Sequence, residues 1–534
     1  MLLKKWFVIV PLLLALIIAV TGLAACSAPT PEGALTVQAA SFRNWGMIPT
    51  VAAGGGTLYI ETMYDSLIRN EYDEATGSYK ITPGLATKWE SSPDLKTWTI
   101  TLRKGVQWHN GYGEFTADDV KYTLENTLKN PDLPPTSAGS LLMDELLESV
   151  EVVDPYKVVL HLTRPYGAMT LQLSDLYSNR PVSKKYCEEV GLVEANEKPI
   201  GTGPFKFVDM VLGDYIKIEA IENHWRQIPS YKTIIFKEVK EETTAIAMLK
   251  TGAADIITVP MVHLKELTDA GFEARLNLGA VYTFAMFAGL WDSTVPEYDA
   301  NVPWLDIRVR KAMNLAIDRD AIITALYKDQ AQAAPVVLFM PGTLGHIPDL
   351  EPYPYDPIQA KRLLEEAGYP NGFELNLGLS SVSKAPEIPD VGQAMAQYWE
   401  KIGIKSSIFN SDTGALKKLF AAKSDPYLIT PRGFSRQTAL EAHMNTFFSP
   451  TGSYTINAPD IYALIQKYEA EPNIETKEAI GRQICQQFYD GYWQIPIAYS
   501  AVPYFVNPET VGKWDFLRGQ FDNFRLDTLR RPGQ

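Results

Sequence analysis

The chain has 534 residues, 46% of them hydrophobic and 21% charged, with a net charge of −14 at pH 7. That length is enough for a large core and for more than one domain. The acidic balance argues against a nucleic-acid partner, which calls for a basic stripe, and three cysteines in so long a chain leave no disulfide framework to rely on.

The chain opens with Lys4 and Lys5, an apolar run over residues 6–20, and the small residues Leu23-Ala24-Ala25 directly before Cys26. Charge, apolar stretch and small residues in that order are the pattern of a secretory signal. The cysteine after Leu-Ala-Ala resembles the bacterial lipobox, in which the thiol receives a diacylglycerol and becomes the new N-terminus. An uncleaved membrane anchor is the alternative, weakened by Pro11 and Gly22 inside the run. The reading is therefore a signal peptide over 1–25 and lipidation of Cys26, followed by a small, Pro-containing tether over 26–33. No other apolar stretch reaches twenty residues, so the body beyond the tether is expected to be soluble. Cys187 and Cys485 are expected to be free and buried rather than joined.

Beyond the tether there is no repeat or low-complexity block. Residues 97–102 (TWTITL) alternate in the manner of a half-buried strand, between a Ser91-Ser92-Pro93-Asp94 turn and an Arg103-Lys104-Gly105 break. Thr116 is placed to N-cap a helix whose first turn carries Asp118 and Asp119. Strands at 150–153 and 157–162 flank Asp154-Pro155-Tyr156, and 200–207 (IGTGPFKF) is a turn leading into a strand. Strands at 216–220 and 231–239, a helix at 243–249 and a strand at 255–259 alternate in α/β fashion. From 306 the pattern is more helical. Val309, Met313, Ala316 and Ile317 share a face until Asp318 interrupts, and 357–368 opens with Pro and closes with Gly. A strand at 374–378, a helix at 391–402 and a strand at 405–408 follow, and 424–453 reads as irregular. Helices near 460–470 and 474–490 precede a buried crossing strand at 493–506.

Six segments stand in a specific order: MYDSLI at 63–68, PGLATKWESSPDLKTWTITLRKGVQWHNG from 83, FTADDVKYTL from 115, IGTGPF from 200, DIRVRKAMNLAIDRDAI from 306 and YDPIQAKRLLEEAGYPNGFEL from 355. Together they resemble the family-5 extracytoplasmic solute-binding proteins of ABC importers, the type that includes oligopeptide, dipeptide and nickel receptors. The resemblance implies an α/β, two-lobed periplasmic-binding-protein (Venus flytrap) fold with an extra subdomain inserted in lobe one, closing around its ligand by a hinge motion. On this sequence lobe one would occupy 34–56 and 199–278, the inserted subdomain 57–198 and lobe two 279–494, with 495–534 returning to lobe one. The implied partners are a small-molecule or peptide ligand, an inner-membrane ABC permease and the membrane through the lipid on Cys26. The chain would act as a monomer on the outer face of the cytoplasmic membrane.

In peptide-binding relatives a Gly-Trp-x-x-Asp-Tyr-Pro-Asp segment of lobe two holds the peptide, its aspartate pairing with the α-amino group and its backbone adding the peptide as a strand. The matching stretch here is Pro431-Arg432-Gly433-Phe434-Ser435-Arg436-Gln437-Thr438. Gly433 matches and Phe434 can serve as the apolar wall, but Gln437 stands where the aspartate belongs. A neutral amide cannot supply that charge-assisted bond. Arg432 or Arg436 would instead grip a carboxylate, phosphate or other acceptor, unless both face solvent or pair with Asp425 or Glu441. Backbone contacts from Gly433 and Ser435 survive such a change. Gly54, Gly55 and Gly56 match a cleft-lining loop, although a flexible turn reads equally well and no phosphate-loop Gly-Lys-Ser/Thr follows. Trp45 and Tyr499 could stack on a ligand ring, or simply pack in the core.

The six histidines show no metal-ligand spacing, and no metal or cofactor is expected. Asp118-Asp119 and Glu365-Glu366 are adjacent on helices and point apart, unlike a glycosidase pair. With no nucleophile elbow or Cys-His arrangement visible either, the sequence reads as a receptor that captures solute without transforming it.

Overall fold

The structure is a computed structural model that describes residues 33–39, 48–49, 57–73, 78–128, 130, 132–133, 138–174, 179–340, 343–380, 385, 387–435, 440–450, 452, 454–471, 473–514 and 525–534. The expected signal peptide, Cys26 and the expected tether, with Trp45, Gly54, Gly55, Gly56, Arg436 and Gln437, lie outside the described residues. Among the described residues no helix is long and apolar enough to cross a membrane.

Strand β1 (Ala34–Ala39) begins a large mixed sheet. The chain then leaves it for a hairpin of β2 (Ile68–Asp73) and β3 (Ser78–Pro83). A separate sheet follows, built from β4 (Ala86–Ser91), β5 (Thr97–Leu102), β6 (Leu147–Asp154) and β7 (Lys157–Leu162) in the order β4-β5-β7-β6. It returns through β8 (Phe205–Val211), β9 (Tyr215–Ala220), β10 (Thr233–Glu238) and the short β11 (Ile256–Ile257). Two long strands, β12 (Glu273–Phe287) and β17 (Gln494–Val506), enclose in sequence β13 (Ala331–Ala333), β14 (Glu374–Leu379), β15 (Lys405–Asn410) and β16 (Leu428–Ser435). The large sheet runs β15-β14-β16-β12-β17-β11-β1-β10-β9-β8, with β13 added on β17.

The pair β12 and β17 joins the two halves. They lie antiparallel from Glu273 opposite Val506 to Met286 opposite Gln494, with register shifts between Asn277 and Val281 and between Thr283 and Phe284. At one end β17 pairs with β11, and at the other β12 pairs with β16. All thirteen residues of β17 are buried, which is why it reads as a continuous apolar run without alternation. Two large cores, one on each side of this pair, give the α/β, two-lobed architecture. The separate β4–β7 sheet is the extra subdomain.

Local chemistry explains the motifs. Thr116 and Asp119 form a capping box on the Ala117–Asn126 helix. Asp306, Asp318 and Asp356 each cap a helix by accepting a backbone N–H, from Arg308, Ala321 and Gln359. The glycines of IGTGPF are steric necessities. A Cβ on Gly201 would stand 1.9 Å from the Met63 carbonyl oxygen, and one on Gly203 2.6 Å from the Met63 carbonyl carbon. Arg310 and Arg319 are buried and spend their N–H groups on carbonyls of Trp304, Leu305, Gly491, Asn314 and Pro496, tying the 307–327 helices to the start of β17. Burial lowers both guanidinium pKa values to about 10.

Two sequence expectations need correction, and one strand was missed. Residues 424–453 are not irregular: they contain β16 and a helix over Leu440–Phe448. Pro431 and Gly433 hid the strand, yet neither disturbs it, because β16 is held on one side by β12 and only at its first residues by β14. The strand expected at 255–259 shortens to two residues. Strand β12 was not anticipated, since its pattern merges a partly exposed segment with a fully buried one. Cys187 and Cys485 are free and buried, and burial pushes both thiols up to about 12.

Candidate functional site

Strand β16 ends where the lobes meet. Its last residue, Ser435, stands opposite Val281, the first residue of β12 after the irregularity that begins at Asn277. The end of β16 therefore stands at the junction, beside the crossing strands. This placement makes residues 431–435 the described part of the candidate site.

The residues along β16 have distinct surroundings. Thr430 donates its hydroxyl to the Gly378 carbonyl at 2.7 Å. Pro431 packs its ring towards Gly392, where a Cβ would come within 2.9 Å of the Pro431 Cγ. Gly433 faces the same side, where its own Cβ would stand 2.9 Å from Ala385 Cβ and Ile388 Cδ1. Gly433 thus has a packing reason for lacking a side chain, separate from any ligand. Phe434 and Ser435 are placed by their backbone opposite Tyr282 and Val281, and their side chains lie outside the description.

Arg432 points to the other side of the sheet. It stands opposite Phe284, is only 2% exposed, and its guanidinium carbon lies 5.7 Å from the centre of the Tyr454 ring. Tyr454 stacks on Phe447, which meets Phe284 edge-on, so the cation sits in an aromatic surround. Among the described residues its Nε and Nη2 have no hydrogen-bond partner. Two of the bland readings for Arg432 fail here: it does not face solvent, and Asp425 accepts instead from Asn376 Nδ2 and the Tyr427 N–H. Glu441 is outside the described side chains.

Tyr499 stands opposite Tyr282 on β12 and is 7% exposed. Its hydroxyl donates to the Val336 carbonyl at 2.6 Å, and burial raises its pKa far above the ordinary tyrosine value. A ligand could meet its ring but not a free hydroxyl donor.

Sequence reasoning missed a second junction. Glu387, at the start of the Ile388–Glu400 helix of lobe two, accepts the backbone N–H of Met261 in lobe one. Burial is the main cause that raises its pKa to about 7, with the charges of Glu242 and Asp390 adding to it. No local pattern marks this residue, because its burial depends on a partner far away in the chain. By contrast, the buried cluster of Asp65, His224 and Arg226 is structural. Asp65 accepts from Trp225 Nε1 and Arg226, and Arg226 continues to Asp527 of the C-terminal tail. Burial opposes ionisation of Asp65, but the bond to His224 and the charge of Arg226 prevail and hold its carboxyl far below the usual range.

The chain matches the family model of the bacterial extracellular solute-binding proteins, family 5 Middle, over residues 80–455. It is 31% identical over 418 residues to heme-binding protein A of Haemophilus influenzae, covering 72% of this chain and 74% of that protein. It is 29% identical over 361 residues to the dipeptide-binding protein of Escherichia coli, covering 64% of this chain and 65%, just under two thirds, of that protein. Its fold superposes on a periplasmic binding protein of Helicobacter pylori in complex with the peptide STSA. There the TM-score is 0.80 at 23% identity, covering 94% of this chain and 98% of the other.

Proposed function

The chain belongs to the bacterial extracellular solute-binding proteins of family 5, and from that premise we propose that it captures a peptide or peptide-like acid and delivers it to the permease of an ABC importer. The capture is binding without chemistry. The ligand lies at the junction where β16 ends, and closure of the lobes shields it and forms the surface the permease reads. The partition of lobe one, inserted subdomain and lobe two at 57, 199, 279 and 495 belongs to this reading. So does attachment of a monomer to the outer face of the cytoplasmic membrane through Cys26.

One observation carries the ligand class: Arg432 is a buried cation whose Nε and Nη2 have no hydrogen-bonding partner among the described residues. A buried charge is tolerated when something pairs with it, and a guanidinium matches a carboxylate in two parallel bonds. The carboxylate of a peptide or peptide-like acid supplies that partner, while Gln437 in place of an aspartate removes the grip on an amine. The second reading follows from the same residue. An opine-like, saccharide or metal-chelate ligand bearing an anionic group would satisfy Arg432 equally, and the two named relatives already differ, one for heme and one for dipeptide.

Mass spectrometry of small molecules released from the purified protein tests both. A co-purifying molecule with a free carboxylate or phosphate is the expected result. A ligand whose only charge is a free amine would overturn the assignment.

A further inference from the structure

The β4–β7 subdomain touches the opposite lobe. The loop after β7 is fixed within its own subdomain: Thr163 N–H donates to the Leu146 carbonyl, and Tyr166 N–H to the Leu95 carbonyl. From that base it reaches the C-terminal end of the Pro459–Ala470 helix in lobe two. Arg164 Nη1 lies 2.5 Å from Glu469 Oε2, and Glu469 has a side chain only 1% exposed. Next to this pair, Gly167 N–H donates to the Glu469 carbonyl at 3.2 Å. The Ala138–Leu146 helix of the same subdomain also packs on the Leu440–Phe448 helix of lobe two.

The contact leads back to the candidate site. Glu469 accepts a second bond, from Asn445 Nδ2. Asn445 lies on the Leu440–Phe448 helix, which follows β16 after four residues and also carries Phe447, stacked on the Tyr454 ring below Arg432. One buried carboxylate therefore joins the inserted subdomain to the helix next to the ligand segment.

We propose that the inserted subdomain is a third jaw, which holds the lobes closed through the Arg164–Glu469 pair and the Gly167–Glu469 backbone bond. This inference rests on the two-lobed capture reading, but not on the identity of the ligand. The two halves of the contact are 305 residues apart in sequence and meet only when the lobes are together. Opening would expose Glu469 to water and release Arg164 to its weaker neighbour Glu145, at 3.6 Å within its own subdomain. A contact present only in the closed state raises the closed population, and apparent affinity follows that population.

The test is pulsed electron paramagnetic resonance on the full chain without added ligand. Spin labels go on Glu148→Cys in the inserted subdomain and Asp460→Cys in lobe two, both exposed, while the buried Cys187 and Cys485 stay unlabelled. The expected result is that R164Q cuts the ratio of short-distance to long-distance populations about ten-fold, equivalent to about 1.4 kcal/mol, while R164K restores part of it. Unchanged thermal unfolding of R164Q would show that its fold is intact. Identical distance distributions for wild type and R164Q overturn the proposal, whichever ligand the site takes. Should R164Q unfold, E469Q is read in its place, because it keeps an acceptor for Asn445 while removing the charge that Arg164 binds.

Discussion

Replacing Arg432 by Met should make the ligand-free protein more stable and cost it its ligand. The guanidinium is 2% exposed, and among the described residues its Nε and Nη2 have no hydrogen-bond partner. An uncompensated buried charge costs several kcal/mol, even after relaxation. The Tyr454 ring at 5.7 Å returns about 1 kcal/mol. Methionine is close to arginine in length and flexible enough to fill the same space among Phe284, Phe447 and Tyr454, so little cavity penalty offsets the gain. A net stabilisation of about 2 kcal/mol follows, which for a lobe of this size is a rise in Tm of about 4 °C. Hydrogen bonds to a charged group contribute about 1.5–3 kcal/mol each, so loss of the ligand's partner should weaken binding about 100-fold. The assay is differential scanning calorimetry on protein refolded from denaturant to remove ligand, paired with calorimetric titration of the ligand recovered from the wild type. A lower Tm for R432M with binding unchanged would show that Arg432 is a structural cation and refute the argument.

Glu387→Gln should remove a pH dependence. The folded carboxyl titrates at about 7 against an ordinary 4.5, so the folded state holds more protons between those values and stability falls as pH rises through that window, by roughly 3 kcal/mol in all. Urea midpoints at pH 5 and pH 8 should differ by less in E387Q than in wild type, and equal differences would contradict the burial argument. Asp65 gives the opposite slope, confined to acid pH below about 4, and so does not mask the effect. Gly201→Ala places a Cβ 1.9 Å from a backbone oxygen that cannot rotate away, and should cost at least about 3 kcal/mol or abolish soluble expression. Tyr499→Phe removes the bond to the Val336 carbonyl and should lower stability by about 1 kcal/mol in a denaturant titration, with ligand affinity nearly unchanged because the ring remains.

Much of the architecture was legible in the chain because its causes are local. The helix starts at Thr116, Asp318 and Asp356 are written in capping side chains that bond three residues ahead, or in Thr116's reciprocal box with Asp119. The buried run of β17 announced a crossing strand because both its faces are covered. The glycines at 201 and 203 differ from these local signals, because what they answer to is the backbone of Met63, far away in the chain. The site was less legible. The stretch containing β16 looked irregular, since Pro431 and Gly433 break a strand pattern unless one edge of the strand goes largely unpaired and a neighbouring helix packs close.

By itself, then, the sequence determined many of the helices and strands, though not β12 or β16, together with the class of fold and the residue types offered at the candidate site, all properties carried by neighbours in the chain. Only the tertiary structure decided that Arg432 is buried beside Tyr454 and not turned to solvent, that Glu387 meets Met261, and that Arg164 reaches Glu469. Each of these is a matter of charge and desolvation. The energy of a charge depends on what surrounds it after distant segments have come together, and no pattern of nearest neighbours contains that information.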